Sequence, residues 1–92
     1  MDYTGKKVLI VGMAKSGVSA AKLLRHMGAQ IALYDRKSKE NFAEHTEITE
    51  LLQQGAVDFL GAEPEQAEAW AEILILSPGV PVKQTFIQQA MQ

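Results

Sequence analysis

VLIVGMAKSG, residues 8–17, joins a short apolar run to a glycine-rich turn. The continuous run Val8–Val11, ended by Gly12, is typical of a strand buried on both faces of a parallel sheet. From Ser16 the apolar residues recur at helical spacing, and Gly28 is well placed to end the helix. The segment therefore predicts a buried strand followed at once by a helix.

The rest of the chain repeats this alternation. Further strands are predicted at Gln30–Tyr34, Ala56–Leu60 and Ile73–Leu76. The last of these is the most apolar, and we expect it at the centre of the sheet. Ala20, Leu24 and Met27 mark the apolar face of the first helix, and later helices are predicted around Ile48–Leu52, from Pro64 to near Trp70, and after a Thr85–Gln88 capping box. The polar stretch Arg36–His45 lacks periodicity, so we expect a loop or frayed helix start there with few anchoring side chains.

Alternating strands and helices predict right-handed crossovers and a Rossmann-like, doubly wound α/β fold with a parallel sheet in the order 3-2-1-4. Ninety-two residues suffice for one compact domain, which we place at 1–92. The last helix should feed a fifth strand that the chain lacks. We therefore expect a truncated sheet, whose fourth strand has an exposed edge through which copies can associate.

Composition excludes several classes of function. A net charge of −2 gives no basic surface for nucleic acid or an anionic membrane, and the N-terminus lacks the apolar stretch of a signal peptide. We expect a cytoplasmic protein. There is no cysteine, and His26 and His45 lack metal-ligand spacing, so both histidines are interpreted as surface residues and no metal site is predicted. Phe59, Trp70 and the methionines are interpreted as packing residues.

Three segments are expected to meet where the strand order reverses, at the carboxyl ends of the strands. The candidate ligand-binding residues are Gly12, Ala14, Lys15, Ser16 and Gly17 after the first strand, Asp35, Arg36 and Lys37 after the second, and Ser77, Pro78 and Gly79 after the fourth. The first group is a G-x-A-x-x-G variant of the dinucleotide fingerprint, and its helix N-terminus can attract an anion. No catalytic triad and no G-x-x-x-x-G-K-S/T loop for ATP is present in the sequence.

Each segment also has a simpler interpretation, which for Gly12–Gly17 is a glycine turn that merely connects a strand to a helix. The methyl group of Ala14 intrudes where a dinucleotide pyrophosphate approaches the backbone, which weakens an NAD assignment. Asp35 lies 18 residues beyond Gly17, and this position suits a nucleoside contact and a strand-ending turn equally well. Ser77–Gly79 alone suits an ordinary strand-to-helix loop, so the prediction of a nucleotide site depends on the convergence of all three segments.

The stretch Gly5–Gly17, together with Asp35 and the S-P-G-V-P sequence at Ser77–Pro81, resembles the start of the MurD ligases of peptidoglycan synthesis, the UDP-N-acetylmuramoyl-L-alanine:D-glutamate ligases. The resemblance spans nearly the whole chain. It implies a domain that holds the UDP part of UDP-N-acetylmuramoyl-L-alanine and has no catalytic residue of its own. ATP and Mg²⁺ are then bound elsewhere in a longer, monomeric parent enzyme, and this fragment needs no cofactor.

The resemblance also implies residue roles. Lys15 and Ser16 lie along the uridine, while Asp35, Arg36 and Lys37 meet the uracil side and Ser77 and Gly79 face the diphosphate. Relatives often have a small hydroxyl residue at the position of Arg36, so the part that Arg36 takes in base recognition stays open. Two alternatives also stay open: an NAD(P)-binding domain of an oxidoreductase, and a non-enzymatic nucleotide-sensing module.

Overall fold

The computed structural model describes residues 3–76 of the chain. In chain order its elements are β1 (Lys7–Val11), α1 (Lys15–His26), β2 (Gln30–Asp35), a 3₁₀ helix (Lys39–Phe42), α2 (Thr46–Gln53), β3 (Val57–Leu60), α3 (Pro64–Trp70) and β4 (Ile73–Leu76). The four predicted strands are confirmed to within one residue at each end. The predicted loop at Ser77–Pro81 and the predicted last helix lie outside the described residues.

The strands form one parallel sheet in the order β3-β2-β1-β4, which confirms the predicted α/β fold and strand order. Val11, at the end of β1, lies beside Tyr34 of β2 and Leu76 of β4. Asp35, at the end of β2, lies beside Leu60 of β3. Because the strands end level with one another, the loops that follow them leave the sheet at the same edge.

Both faces of the sheet are covered. The first face packs against α1 and α2 through a cluster of buried residues that includes Val8, Ile10, Val18, Ala21, Leu24, Ile31, Leu33, Ile48 and Leu51. The second face packs against α3 through Leu9, Val11, Ala32, Tyr34 and Ala67. Alternating side chains of β1 and β2 thus enter opposite clusters, and this is why these strands are apolar throughout.

β4 lies at one end of the described sheet, which corrects the expectation of a central strand. Among the described strands it pairs only with β1, and its four residues are half-buried. Ile73 and Ile75 pack against the first cluster, and Leu74 and Leu76 pack against the second. A strand needs an apolar run wherever both of its faces are packed, so the run does not distinguish a central strand from an end strand.

The polar stretch after β2 is better anchored than the sequence predicted. It contains the 3₁₀ helix Lys39–Phe42, and the half-buried Phe42 packs against the first cluster. His45 is exposed, as predicted, and its Nδ1 accepts a hydrogen bond of 3.4 Å from the Ile48 N–H as the cap of α2. A single aromatic side chain therefore ties this stretch to the core.

The ends of α1 and α3 follow the sequence signals. Gly28 has a φ of +92°, the left-handed conformation that glycine adopts readily after a helix, and Pro64 occupies the first turn of α3. The rings of Phe59 and Trp70 meet edge to face with centroids 6.1 Å apart, which confirms their packing role. Met27 is 42% exposed, so the expectation that it packs in the core was wrong: α1 ends at His26, one residue before it.

Candidate functional site

The loop from β1 to α1 turns sharply at Gly12, whose φ of +94° is unfavourable for residues with a side chain. The Gly12 N–H still donates to the Tyr34 carbonyl at 2.8 Å, so the turn begins while β1 is paired with β2. Ala14 is the N-cap residue and α1 begins at Lys15. Gly17 is buried in the first turns of α1, as expected for close packing of helix and sheet.

Asp35 joins three loops. Its Oδ2 accepts a hydrogen bond of 2.8 Å from the Met13 N–H in the β1–α1 loop. Its Oδ1 accepts one of 3.0 Å from the Lys37 N–H, two residues ahead. Its backbone carbonyl accepts one of 2.9 Å from the Gly61 N–H, in the loop after β3. We call these three hydrogen bonds the Asp35 clamp.

The Asp35 clamp brings together two of the three predicted segments. Asp35 lies against the Gly12–Gly17 loop, and its half-buried carboxylate caps the end of β2. A turn aspartate that ends the strand was the simpler of the two interpretations of Asp35. These hydrogen bonds use only part of the acceptor capacity of its carboxylate. An ionised carboxylate has about four acceptor positions, of which the two side-chain hydrogen bonds occupy two. Within residues 3–76, the carboxylate accepts no hydrogen bond at its remaining positions.

The other predicted residues differ in where they lie. Ala14, Lys15 and Ser16 are exposed at the start of α1, where the helix has no acidic residue in its first turn. The first N–H groups of a helix have no partner within it, and the helix dipole is positive there, so this end of α1 favours an anion. Ser77, Pro78 and Gly79 lie outside the described residues; β4, which precedes them, ends beside β1.

Arg36 and Lys37 are exposed beyond the end of β2. Burial raises the pKa of the Tyr34 phenol, and the nearby Arg36 guanidinium partly opposes that shift. Tyr34 belongs to the second cluster, whereas α1 packs against the first. Asp35 also acts electrostatically on Tyr34, so this effect does not separate Arg36 from the candidate site.

Two residues of the Asp35 clamp were not predicted from the sequence. Met13 contributes only its backbone N–H, while its side chain is buried in the first cluster. No sequence signal distinguishes one backbone N–H from another. Gly61 does carry a signal, since it is a glycine directly after a strand, and its φ of +74° confirms the special turn that such a glycine indicates.

A cleft lies at the opposite edge of the sheet. It has a volume of about 400 Å³ and is lined by residues that include Arg25, Gly28, Gln30, Gln54 and Gly55. The carboxyl ends of α1 and α2 border it, where helix dipoles are negative, and β2 and β3 begin there. Ligands of doubly wound sheets bind at the carboxyl ends of the strands, so we place the candidate site at the Asp35 edge.

Within residues 3–76, no three histidine, aspartate or glutamate side chains are grouped closely enough to hold a metal ion. None of the helices in this part of the chain is both long and apolar enough to cross a membrane.

Comparison with known proteins identifies the family of the chain. Residues 6–92 match the Mur ligase MurD-like N-terminal domain family. The chain belongs to this family. This MurD-like domain is 37% identical over 90 residues to the UDP-N-acetylmuramoylalanine–D-glutamate ligase of Lacticaseibacillus casei. The match covers 97% of this chain and 19% of the relative.

Two further relatives carry the same name. The ligase of Koribacter versatilis is 37% identical over 90 residues, and that of Listeria monocytogenes (serotype 4b) is 37% identical over 91 residues. Each match covers 98% of this chain and 19% of the relative. The MurD-like chain thus spans about a fifth of the length of the curated relatives it matches.

Proposed function

We propose that this chain binds the UDP part of UDP-N-acetylmuramoyl-L-alanine on behalf of a larger ligase that adds D-glutamate during peptidoglycan synthesis. Family membership supports the class of enzyme, and the matched relatives are named for this substrate and amino acid. The observation that carries the proposal is the hydrogen bond from Met13 to Asp35, which joins the β1–α1 loop to the end of β2. Two segments suited to a nucleotide thereby share one edge of the sheet.

The geometry supports a division of the site between base and phosphates. At the end of β2, the free acceptor positions of Asp35 suit the N3–H of uracil, and the exposed Lys37 follows it in the turn. Lys15 and Ser16 run along the uridine at the start of α1. The N-terminus of α1 attracts the diphosphate, and Ser77, Pro78 and Gly79 complete the phosphate side. The exposed Arg36, between Asp35 and Lys37, belongs to the group on the uracil side.

The chemistry of the proposed ligase takes place in other parts of the parent enzyme. This chain contains no G-x-x-x-x-G-K-S/T loop, so ATP and Mg²⁺ are held beyond it. ATP bound there would transfer its terminal phosphoryl group to the substrate carboxylate and leave as ADP, and the amine of D-glutamate would then displace inorganic phosphate to form the amide. The UDP-binding domain contributes by fixing the remote end of the substrate, and such binding can be used to position a reacting group.

Calorimetric titration of the 92-residue chain with UDP, UMP and NAD tests the proposal. We expect UDP to bind more tightly than UMP because the second phosphate adds charge at the N-terminus of α1. Both should bind more tightly than NAD, whose pyrophosphate meets the methyl group of Ala14. Tighter binding of NAD than of UDP would overturn the proposal and restore the oxidoreductase alternative. Absence of binding to all three nucleotides would also reject it.

A further inference from the structure

Gly61 lies directly after β3 and touches the backbone of the loop that follows β2. A Cβ atom at this position would lie 2.9 Å from Cα and 2.9 Å from Cβ of Ser38, and 3.3 Å from its backbone nitrogen. Contacts below 3.0 Å with backbone atoms are not tolerated without movement of the chain. The two loops therefore approach each other as closely as they do because residue 61 has no side chain.

This contact lies next to the Asp35 clamp. The Gly61 N–H donates to the Asp35 carbonyl at 2.9 Å, and Lys37, the neighbour of Ser38, donates to the Asp35 carboxylate at 3.0 Å. Gly61 thus holds both ends of the Asp35–Ser38 turn: one end by a hydrogen bond and the other by close packing. A shift of Ser38 would therefore disturb the turn that carries the Asp35 carboxylate.

We propose that Gly61 is a positioning residue that sets the base specificity of the nucleotide site, acting through the Asp35–Ser38 turn. The inference rests on the proposed function, because it assumes that Asp35 accepts a hydrogen bond from the N3–H of uracil. Cytosine carries a lone pair at N3, which a carboxylate repels. Correct placement of the Asp35 carboxylate should therefore favour UDP over CDP, and misplacement should reduce that preference.

Gly5 provides a matched control. Gly5 and Gly61 both have a φ of +74°, so alanine at either position would adopt the same unfavourable positive φ. A Cβ at Gly5 would meet nothing within 4 Å. Gly5 also precedes β1, at the edge of the sheet opposite Asp35. The variants Gly5→Ala and Gly61→Ala thus differ in the contact with Ser38 and in their distance from the proposed site.

The experiment measures the affinities of the wild-type chain and both variants for UDP and CDP, with amide chemical shifts recorded in parallel. In Gly61→Ala we expect UDP affinity to fall about tenfold, because one hydrogen bond to a charged group is lost. CDP affinity should change less. The amide signals of Met13 and Lys37 should move without ligand. Gly5→Ala should keep the wild-type ratio of UDP to CDP affinity and leave both amide signals in place.

The outcomes separate the inference from the proposed function. If wild type binds UDP but does not prefer it over CDP, or if Gly61→Ala keeps the wild-type preference, the positioning role is wrong and the UDP site stands. If wild type binds neither nucleotide, both fail. Should Gly61→Ala not fold, Gly61→Asn and Gly5→Asn replace the pair, because asparagine tolerates positive φ better than alanine while its Cβ meets Ser38 in the same way.

Discussion

Removal of the Asp35 carboxylate tests how firmly the β1–α1 loop is held. In Asp35→Ala the Met13 N–H loses a partly buried acceptor at 2.8 Å, and the Lys37 N–H loses an exposed one at 3.0 Å. A hydrogen bond to a charged acceptor contributes about 1.5–3 kcal/mol, and an exposed local one roughly 0.5 kcal/mol. We expect the free energy of unfolding to fall by about 2–3 kcal/mol, which for a domain of this size lowers Tm by roughly 10–20 °C.

Asp58→Ala is the control for this experiment. The Oδ1 of Asp58 accepts a hydrogen bond of 3.0 Å from the Leu60 N–H, two residues ahead, just as Oδ1 of Asp35 accepts from Lys37. Asp58 thus has a hydrogen bond of the same span and length as the local one of Asp35, in a partly buried rather than an exposed position. The difference between the two variants isolates the bond to Met13, which we expect to contribute about 2 kcal/mol.

Urea unfolding followed by the fluorescence of Trp70, the single tryptophan of the chain, measures both variants. Trp70 packs against Phe59 on the α3 side, away from the first cluster, so its emission reports global unfolding. Equal destabilisation by Asp35→Ala and Asp58→Ala would refute the reasoning. The hydrogen bond between the two loops would then contribute nothing to their association.

Two further predictions concern the scaffold. Leu33→Ala, at a fully buried position of β2, should lower the free energy of unfolding by about 2–5 kcal/mol in urea titrations, while Leu23→Ala, at a position 60% exposed, should change it little. Lys22 hydrogen-bonds Glu47 at 2.8 Å and lowers the pKa of that exposed carboxyl. The pair therefore stabilises the fold at neutral pH and ceases to do so as the pH falls through the lowered pKa. Thermal unfolding of Glu47→Gln should accordingly show a small loss of Tm at neutral pH that disappears in acid or in high salt; an undiminished loss would contradict this.

Much of the fold could be predicted because β1, β2 and β4 pack on both of their faces. The runs Val8–Val11 and Ile73–Leu76 contain no polar residue, and the glycines that follow α1 and α2 mark sharp stops. The strand order was then predicted from the alternation of strands and helices with right-handed crossovers. The position of β4 at one end of the described sheet could not be read from its own residues, since the burial of a strand depends on its neighbours.

The candidate site was predictable in outline and not in its internal contacts. The position of Asp35 in the chain correctly predicted the edge of the sheet at which it lies. Its partners are backbone N–H groups of Met13, Lys37 and Gly61, and a sequence does not distinguish one backbone N–H from another. Phe42 was missed for a related reason. A lone aromatic residue in a polar stretch has no periodicity, so only the folded chain shows that it packs on the core.

A map of amide shifts during titration of the 92-residue chain with UDP tests the central claim most directly. The account predicts that the largest changes cluster at Gly12–Gly17 and at Asp35–Lys37, where the loops after β1 and β2 meet. Changes clustered instead around Arg25 and Gln54, in the cleft at the opposite edge of the sheet, would contradict it.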